Sequence, residues 1–149
     1  MNDEYFMNQA IALAKEAAEE GEVPVGAVVV LDGKIVGAGR NRREISKNAL
    51  AHAEIEAINE ACRALGGWRL WQCDMYVTLE PCPMCTGAII NSRIKRFVYG
   101  ASDYKAGSCG SVVDLFSLPY NHKPEVVSGV MQEECAALLT DFFKKLRKK

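Results

Sequence analysis

From Asp3 to about Glu20, apolar residues fall at Phe6, Ala10, Leu13 and Ala17, a helical spacing that predicts one buried face, and Gly21 ends it. The period then shortens. Pro24 to Leu31 is a valine-rich run and Lys34 to Gly39 a second extended segment; Asp32-Gly33 between them is a two-residue hairpin signal, so the pair is expected to be antiparallel. Helical spacing returns at Ile55, Ile58, Cys62 and Leu65 and stops at Gly66-Gly67, predicting a helix from about His52 to Leu65. Met75 to Leu79 reads as a third strand, broken by Pro81 and Pro83. A short helix from about Cys82 to Asn91 then precedes a fourth strand, Arg96 to Gly100. Glu125 to Val130 is a fifth candidate, and Cys135, Leu138, Leu139, Phe142 and Leu146 mark the face of a last helix.

This order predicts an α/β domain built on one mixed five-stranded sheet with helices packed on it. With 149 residues, 49% of them hydrophobic, the chain is expected to form a single domain over 1–149. Ala101 to Lys123, punctuated by Gly107, Gly110 and Pro119, is the longest stretch without regular pattern and is a candidate substrate lip.

A formal net charge of -1 excludes the global positive field of a dedicated nucleic-acid binder, so any polyanion must be held by a local patch. The patch legible in sequence is the end Lys144, Lys145, Arg147, Lys148, Lys149, which reads equally as an RNA contact or as a solvated helix end. The amino terminus has no basic start followed by an apolar core, and no apolar run approaches the roughly 20 residues needed to span a bilayer. A cytoplasmic protein with no membrane partner is the expectation. There the six cysteines should be reduced, which turns attention from disulfides to metal spacing.

Cys82-Pro83-Met84-Cys85 places two thiols on one face at a helix start. Some thirty residues earlier His52-Ala53-Glu54 opens the other central helix, and its two functional side chains can share a site only in the first turn, with His52 near the cap. His52, Cys82 and Cys85 make the three protein ligands of a catalytic zinc, one ion per chain, with the fourth position left to water. Glu54 is then the base that takes a proton from that water and returns protons to an amidine-like ring and to departing ammonia. Two other readings remain: a thioredoxin-type redox pair, and a closed zinc site in which His122, Cys62, Cys73, Cys109 or Cys135 fills the fourth position.

His52-Ala53-Glu54 with Pro81-Cys82-Pro83-Met84-Cys85 matches the H-x-E and P-C-x-x-C signature of zinc deaminases acting on nucleobases. The segments Glu22 to Val28, Leu65 to Leu70, Tyr76 to Pro81 and Ser92 to Ile94 resemble the bacterial tRNA-specific adenosine deaminases, of the cytidine/deoxycytidylate deaminase superfamily. Ser108 to Ser111, Asn121-His122 and Glu134 to Ala136 extend the resemblance over nearly the whole chain. It implies a cytidine deaminase-like three-layer fold with helices on both faces of the sheet, a homodimer, and conversion of adenosine to inosine at the first anticodon position of an arginine tRNA. It also implies that Asn41, Val25, the Ala53 amide and Asp103 contact the target nucleotide, and that the Phe142-Phe143 helix end lies near the RNA. Ala49-Leu50 and Thr86 depart from the residues many members carry there, and neither is a ligand position. Two alternatives stay open: a deaminase of a free base or nucleoside such as guanine or cytosine, and a noncatalytic RNA-binding subunit, against which Glu54 argues.

Overall fold

The computed structural model describes residues 2–147, so Lys148 and Lys149 of the basic end lie outside the described residues. Helix α1 (Asp3–Glu19) begins where the Asn2 side chain accepts the amides of Glu4 and Tyr5, and it buries Phe6, Met7, Ala10, Ile11, Ala14 and Ala17. Strands β1 (Gly26–Leu31) and β2 (Lys34–Arg40) pair antiparallel, as the sequence leads one to expect. Asp32 and Gly33 both take positive φ, 50° and 77°, which is what a two-residue primed turn requires.

After β2 the chain makes a single helical turn, α2 (Arg43–Ser46), closed by Lys47 in the left-handed region. Four residues carry no periodicity, and the sequence gives no sign of it. Helix α3 (Ala53–Leu65), strand β3 (Asp74–Leu79), helix α4 (Pro83–Asn91) and strand β4 (Arg96–Ala101) follow close to their expected bounds. The irregular stretch holds a short 3-10 turn at Leu115–Ser117 and a bridge between Cys109 and Asp114. Strand β5 (Glu125–Ser128) stops two residues short of the expected Val130, because Gly129 turns to φ 81° and leads into helix α5 (Gln132–Arg147).

The sheet order is β2-β1-β3-β4-β5, with β1 antiparallel to both neighbours and β3, β4 and β5 parallel. Alternate residues of each strand face opposite layers. Ala27, Val29, Met75, Val77 and Phe97 pack with Ala53, Ala57 and Ala61 of α3 and Ile89 of α4. Val28, Val30, Tyr76 and Val98 pack with Phe6, Met7 and Ala10 of α1 and Cys135 of α5. Helices thus cover both faces, the three-layer arrangement expected. Each fully buried large side chain, such as Met75 or Phe97, contributes about 1.5–3 kcal/mol relative to exposure.

Helix α3 lies unusually close to β2. A Cβ at Gly37 or Gly39 would run into the main-chain oxygens of Ala57 or Ala53, so the contact is possible only between glycines and an alanine face. This fixes the height and rotation of the helix that carries the site.

Candidate metal centre and active site

The end of β2, the start of β1 and the ends of β3 and β4 lie at one edge of the sheet, where Gly26 pairs with Arg40 and Leu79 with Ala101. Ligands of open α/β sheets settle at such carboxyl ends, where helix N-termini also converge. Two helices start here. His52 is the N-cap of α3 with extended backbone (φ -86°, ψ 152°), and Cys82 is the N-cap of α4 (φ -72°, ψ 175°) with Pro83 in the first turn. Neither side chain caps its own helix, which leaves both free for other work. The cap position also resolves how residues two apart, His52 and Glu54, serve one site.

His52 Nδ1 lies 3.7 Å from Cys82 Sγ and 3.5 Å from Cys85 Sγ, and the three ligand atoms all fall within 4.8 Å of one another. A tetrahedral ion with bonds of about 2.0–2.3 Å holds nitrogen and sulfur ligands about 3.6 Å apart, so the trio has the dimensions of a zinc site. The Cys85 thiol hydrogen-bonds Cys82 and, against burial and together with His52, draws Cys82 down to about 4; the same bond, with burial, pushes Cys85 well above the usual thiol range. His52 is raised by its hydrogen bond to Cys82, against burial. One thiolate is therefore already favoured, and a divalent cation bound here would displace the Cys85 proton.

No fourth histidine or cysteine joins this group among the described residues, and the closed four-ligand site is not what the fold builds. His122 sits elsewhere, its Nε2 2.7 Å from the Ile94 carbonyl. Cys109 lies 3.4 Å from the Thr86 hydroxyl, and burial pushes it and Cys135 up to about 12 and Cys73 up to about 11. These are core thiols. Glu54 is 4% exposed; burial pushes its carboxyl up to about 7, against the opposing effects of its own amide and of His52.

Beside the trio opens a cavity of about 230 Å³. That is smaller than the roughly 300–1,000 Å³ of drug-sized ligand sites and suits a single ring system. It is lined by His52, Ala53, Glu54 and Cys82 at the two helix starts, by Val23, Val25, Asn41, Leu79 and Glu80 around them, and at the rim by exposed Arg43 and Ala106 and half-buried Asp103. All eight residues singled out in the sequence gather here: seven line the cavity, and Cys85 completes the ligand trio beneath it. Asn41 is 7% exposed and already oriented, its Nδ2 donating to the Val23 carbonyl at 3.1 Å and its Oδ1 accepting the Arg43 amide at 3.3 Å. Asp103 combines a place at the rim with a turn role, because its Oδ1 accepts the amides of Lys105 and Ala106.

Three residues escaped sequence reasoning. Glu80, 2% exposed, accepts the amides of Asp103, Cys109 and Ser111 and the Ser111 hydroxyl, and these bonds outweigh burial and hold its carboxyl below the usual range. It fastens the inner half of the expected lip. Glu22, 1% exposed, accepts the amides of Glu44 and Ile45 at 3.1 and 2.7 Å and does the same for the opposite wall. The third is Arg43. The one available signal was a carboxylate beside proline at the mouth of an apolar run, in Glu22-Val23-Pro24 and Glu80-Pro81. The basic end of α5, with Phe142 and Phe143, takes no part in the cavity lining.

The sequence profile of the MafB19-like deaminase family matches residues 1–147. The chain is 51% identical to the tRNA-specific adenosine deaminase of Bacillus subtilis, over 99% of this chain and 92% of that one. It superposes with a TM-score of 0.88 and 48% identity on a structure from studies of A-to-I editing by tRNA:A34 deaminases at the wobble position, covering 91% of this chain and 99% of the other. Guanine deaminase from Bacillus subtilis shares the fold at a TM-score of 0.68 and 35% identity, over 100% of this chain and 96% of that one.

Proposed function

The chain belongs to the tRNA-specific adenosine deaminases, within the MafB19-like deaminase family, and from that premise we propose that it converts adenosine to inosine at the wobble position of tRNA. The observation that carries this is a buried carboxylate, Glu54, beside a His52-Cys82-Cys85 trio of zinc dimensions, in the lining of a cavity sized for one base. His52 Nδ1 and the sulfurs of Cys82 and Cys85 are the atoms that would hold the ion. When bound, zinc supplies a Lewis acid that makes water a nucleophile near neutral pH.

The chain's own work is positioning and proton transfer. Asn41 and Val25 line the cavity to receive the base, and the Ala53 amide and Asp103 complete its contacts. Glu54 takes the proton of the water that adds at C6 of adenine and passes it to the ring nitrogen N1; it then takes the proton of the new C6 hydroxyl and gives it to the amino group, so that the C6–N bond breaks, the C6 carbonyl forms and ammonia leaves. Water is consumed, inosine and ammonia are formed, and Glu54 ends as it began. A carboxyl group held near 7 by burial exchanges protons in both directions at neutral pH.

The tRNA is engaged at its anticodon stem-loop, in an arginine tRNA, where the unpaired first anticodon base is cheaper to extrude than a duplex base. The protein works in the cytoplasm as a homodimer. The dimer reading is supported by an apolar groove between α3 and α4, lined by Ile55, Ile58, Cys62, Trp68 and Ala88, which leaves Trp68 half exposed in the single chain. Sedimentation equilibrium tests it: a single-chain mass would remove it.

Incubation of the zinc-loaded protein with an anticodon stem-loop bearing adenosine at the first position, alongside free guanine, cytosine and their nucleosides, decides the substrate by mass spectrometry. Exchange of one amino group for oxygen in the stem-loop alone is the expected result. Turnover of free guanine instead would favour the reading that rests on the likeness to guanine deaminase.

A further inference from the structure

Arg43 is the one guanidinium or ammonium lining the cavity among the described residues; the other charged side chains there, Glu54, Glu80 and Asp103, are carboxylic. Its side chain forms no ion pair with any described residue, although its neighbours are engaged, Arg40 with Glu16 and Glu20, and Arg42 with Glu56. Its main chain, by contrast, is firmly held. The Arg43 amide donates to Asn41 Oδ1, and the next two amides donate to Glu22, whose side chain is 1% exposed. An Asn41 side-chain oxygen and a buried Glu22 carboxyl group that together fix three successive amides make sense if the segment they hold, with Arg43 at its start, must stand in one place. What stands there is an unpartnered cation at the mouth of a cavity with room for one base. Once a base fills the cavity, its ribose and the flanking phosphates remain outside, at the rim.

Building on the substrate reading above, we propose that Arg43 binds a phosphodiester adjacent to the nucleoside whose base occupies the cavity, so that the site selects a polynucleotide over a free base or nucleoside. The planar fork of arginine matches two phosphate oxygens, and the Asp103 carboxylate at the rim repels a misplaced phosphate. The rigid Asn41-Arg43 link gives the contact a fixed distance from the base-holding amide. Glu22 is then a positioning residue for Arg43.

The test pairs a protein change with a substrate change. R43Q and R43K are compared with the parent on an anticodon stem-loop, and on stem-loops in which the phosphate before or after the target adenosine is a neutral methylphosphonate. Binding is measured by fluorescence anisotropy over a range of salt, and turnover by mass spectrometry. R43Q should raise KM about tenfold on the natural stem-loop with kcat little changed, and should lower the salt slope of binding by about one. One of the two methylphosphonates should abolish the difference between parent and R43Q, and R43K should recover part of the loss. Equal losses on all three substrates, or an unchanged salt slope, would overturn the proposal. Circular dichroism and melting temperature confirm that the exposed substitution leaves the fold intact. A parent protein that bound the stem-loop but never deaminated it would refute the activity, while the salt slope and methylphosphonate binding still decide the phosphate contact. Absence of binding by the parent would refute both.

Discussion

Gly39 in β2 faces the main-chain oxygen of Ala53, the first residue of α3, with no space between them for a methyl group. The same methyl would come within 2.6 Å of the Glu56 side chain. G39A must therefore push the start of α3 off the sheet, moving His52 and Glu54 together. We expect a loss of about 1–3 kcal/mol in stability, as for other overpacked sites, and a lower zinc content. Urea unfolding and metal analysis measure both; full zinc occupancy in G39A would mean that the helix start adapts.

E54Q should lower turnover at least 10²-fold, the usual scale of acid/base catalysis, with zinc still bound. Burial disfavours the ionised form of Glu54, so the neutral isostere should fold at least as stably as the parent. Single-turnover kinetics and thermal melts separate the two effects. Near-parent turnover in E54Q would assign the proton transfer to another group.

Removal of metal by a strong chelator should abolish deamination and leave the far-UV circular dichroism nearly unchanged, because α3 and α4 are held by Ala57, Ala61, Ile89 and Ile90 in the core. C82A and C85A should each fail to retain one zinc per chain. Loss of helical signal on chelation would show that the ion is also a structural element.

How much of this was readable beforehand depends on whether the signal was local. The periods of α1, α3 and α5 and the Asp32-Gly33 turn declare themselves within a few residues, and the structure forms these elements, although of the expected α5 face Cys135 alone is buried; the two short motifs are as local, and their donor atoms come within 4.8 Å of one another. Turn α2 and the tethers from Glu22 and Glu80 depend on partners 22 to 31 residues away, in segments without periodicity. The sheet order is similarly nonlocal, since β3 pairs with β1 across the whole of α3. The ligands were legible because metal chemistry restricts residue type; the walls were not, because a loop can be fastened in many ways.

E80Q tests one of those fastenings. It replaces an acceptor of three amides by a group that must turn an NH2 toward at least one of them, leaving buried donors unpaired at about 1–3 kcal/mol. The cavity rim at Asp103 and Ala106 should loosen, raising KM more than it lowers zinc content. Hydrogen exchange at residues 103–111 gives a direct reading; protection equal to the parent's would count against the tether.

At the far end of the sheet, Asp3 accepts two bonds from Arg96, at 2.6 and 2.9 Å, and one from the Tyr76 hydroxyl at 2.7 Å. The Arg96 bonds, against burial and with help from Tyr76, hold its carboxyl below the usual range. A carboxylate with a depressed folded value adds stability above its unfolded value, and that stability is lost as pH falls through the folded one. D3N should therefore cost about 1 kcal/mol at neutral pH and progressively less below about pH 4. Urea midpoints of both proteins at pH 7 and pH 3 check the sign, and a constant difference would contradict it.

The ligands and the walls occupy separate pieces of chain. His52, Cys82 and Cys85 sit on the starts of the two helices packed on the sheet, whereas Arg43 begins the short turn α2, moored by Glu22, and Asp103 rides on a loop moored by Glu80. Reactivity and selectivity are in this sense modular. The rim can be rewritten, by drift or by design, while the hydrolytic engine beneath it stays as it is, and a guanine deaminase on the same frame is the kind of relative such a division of labour produces.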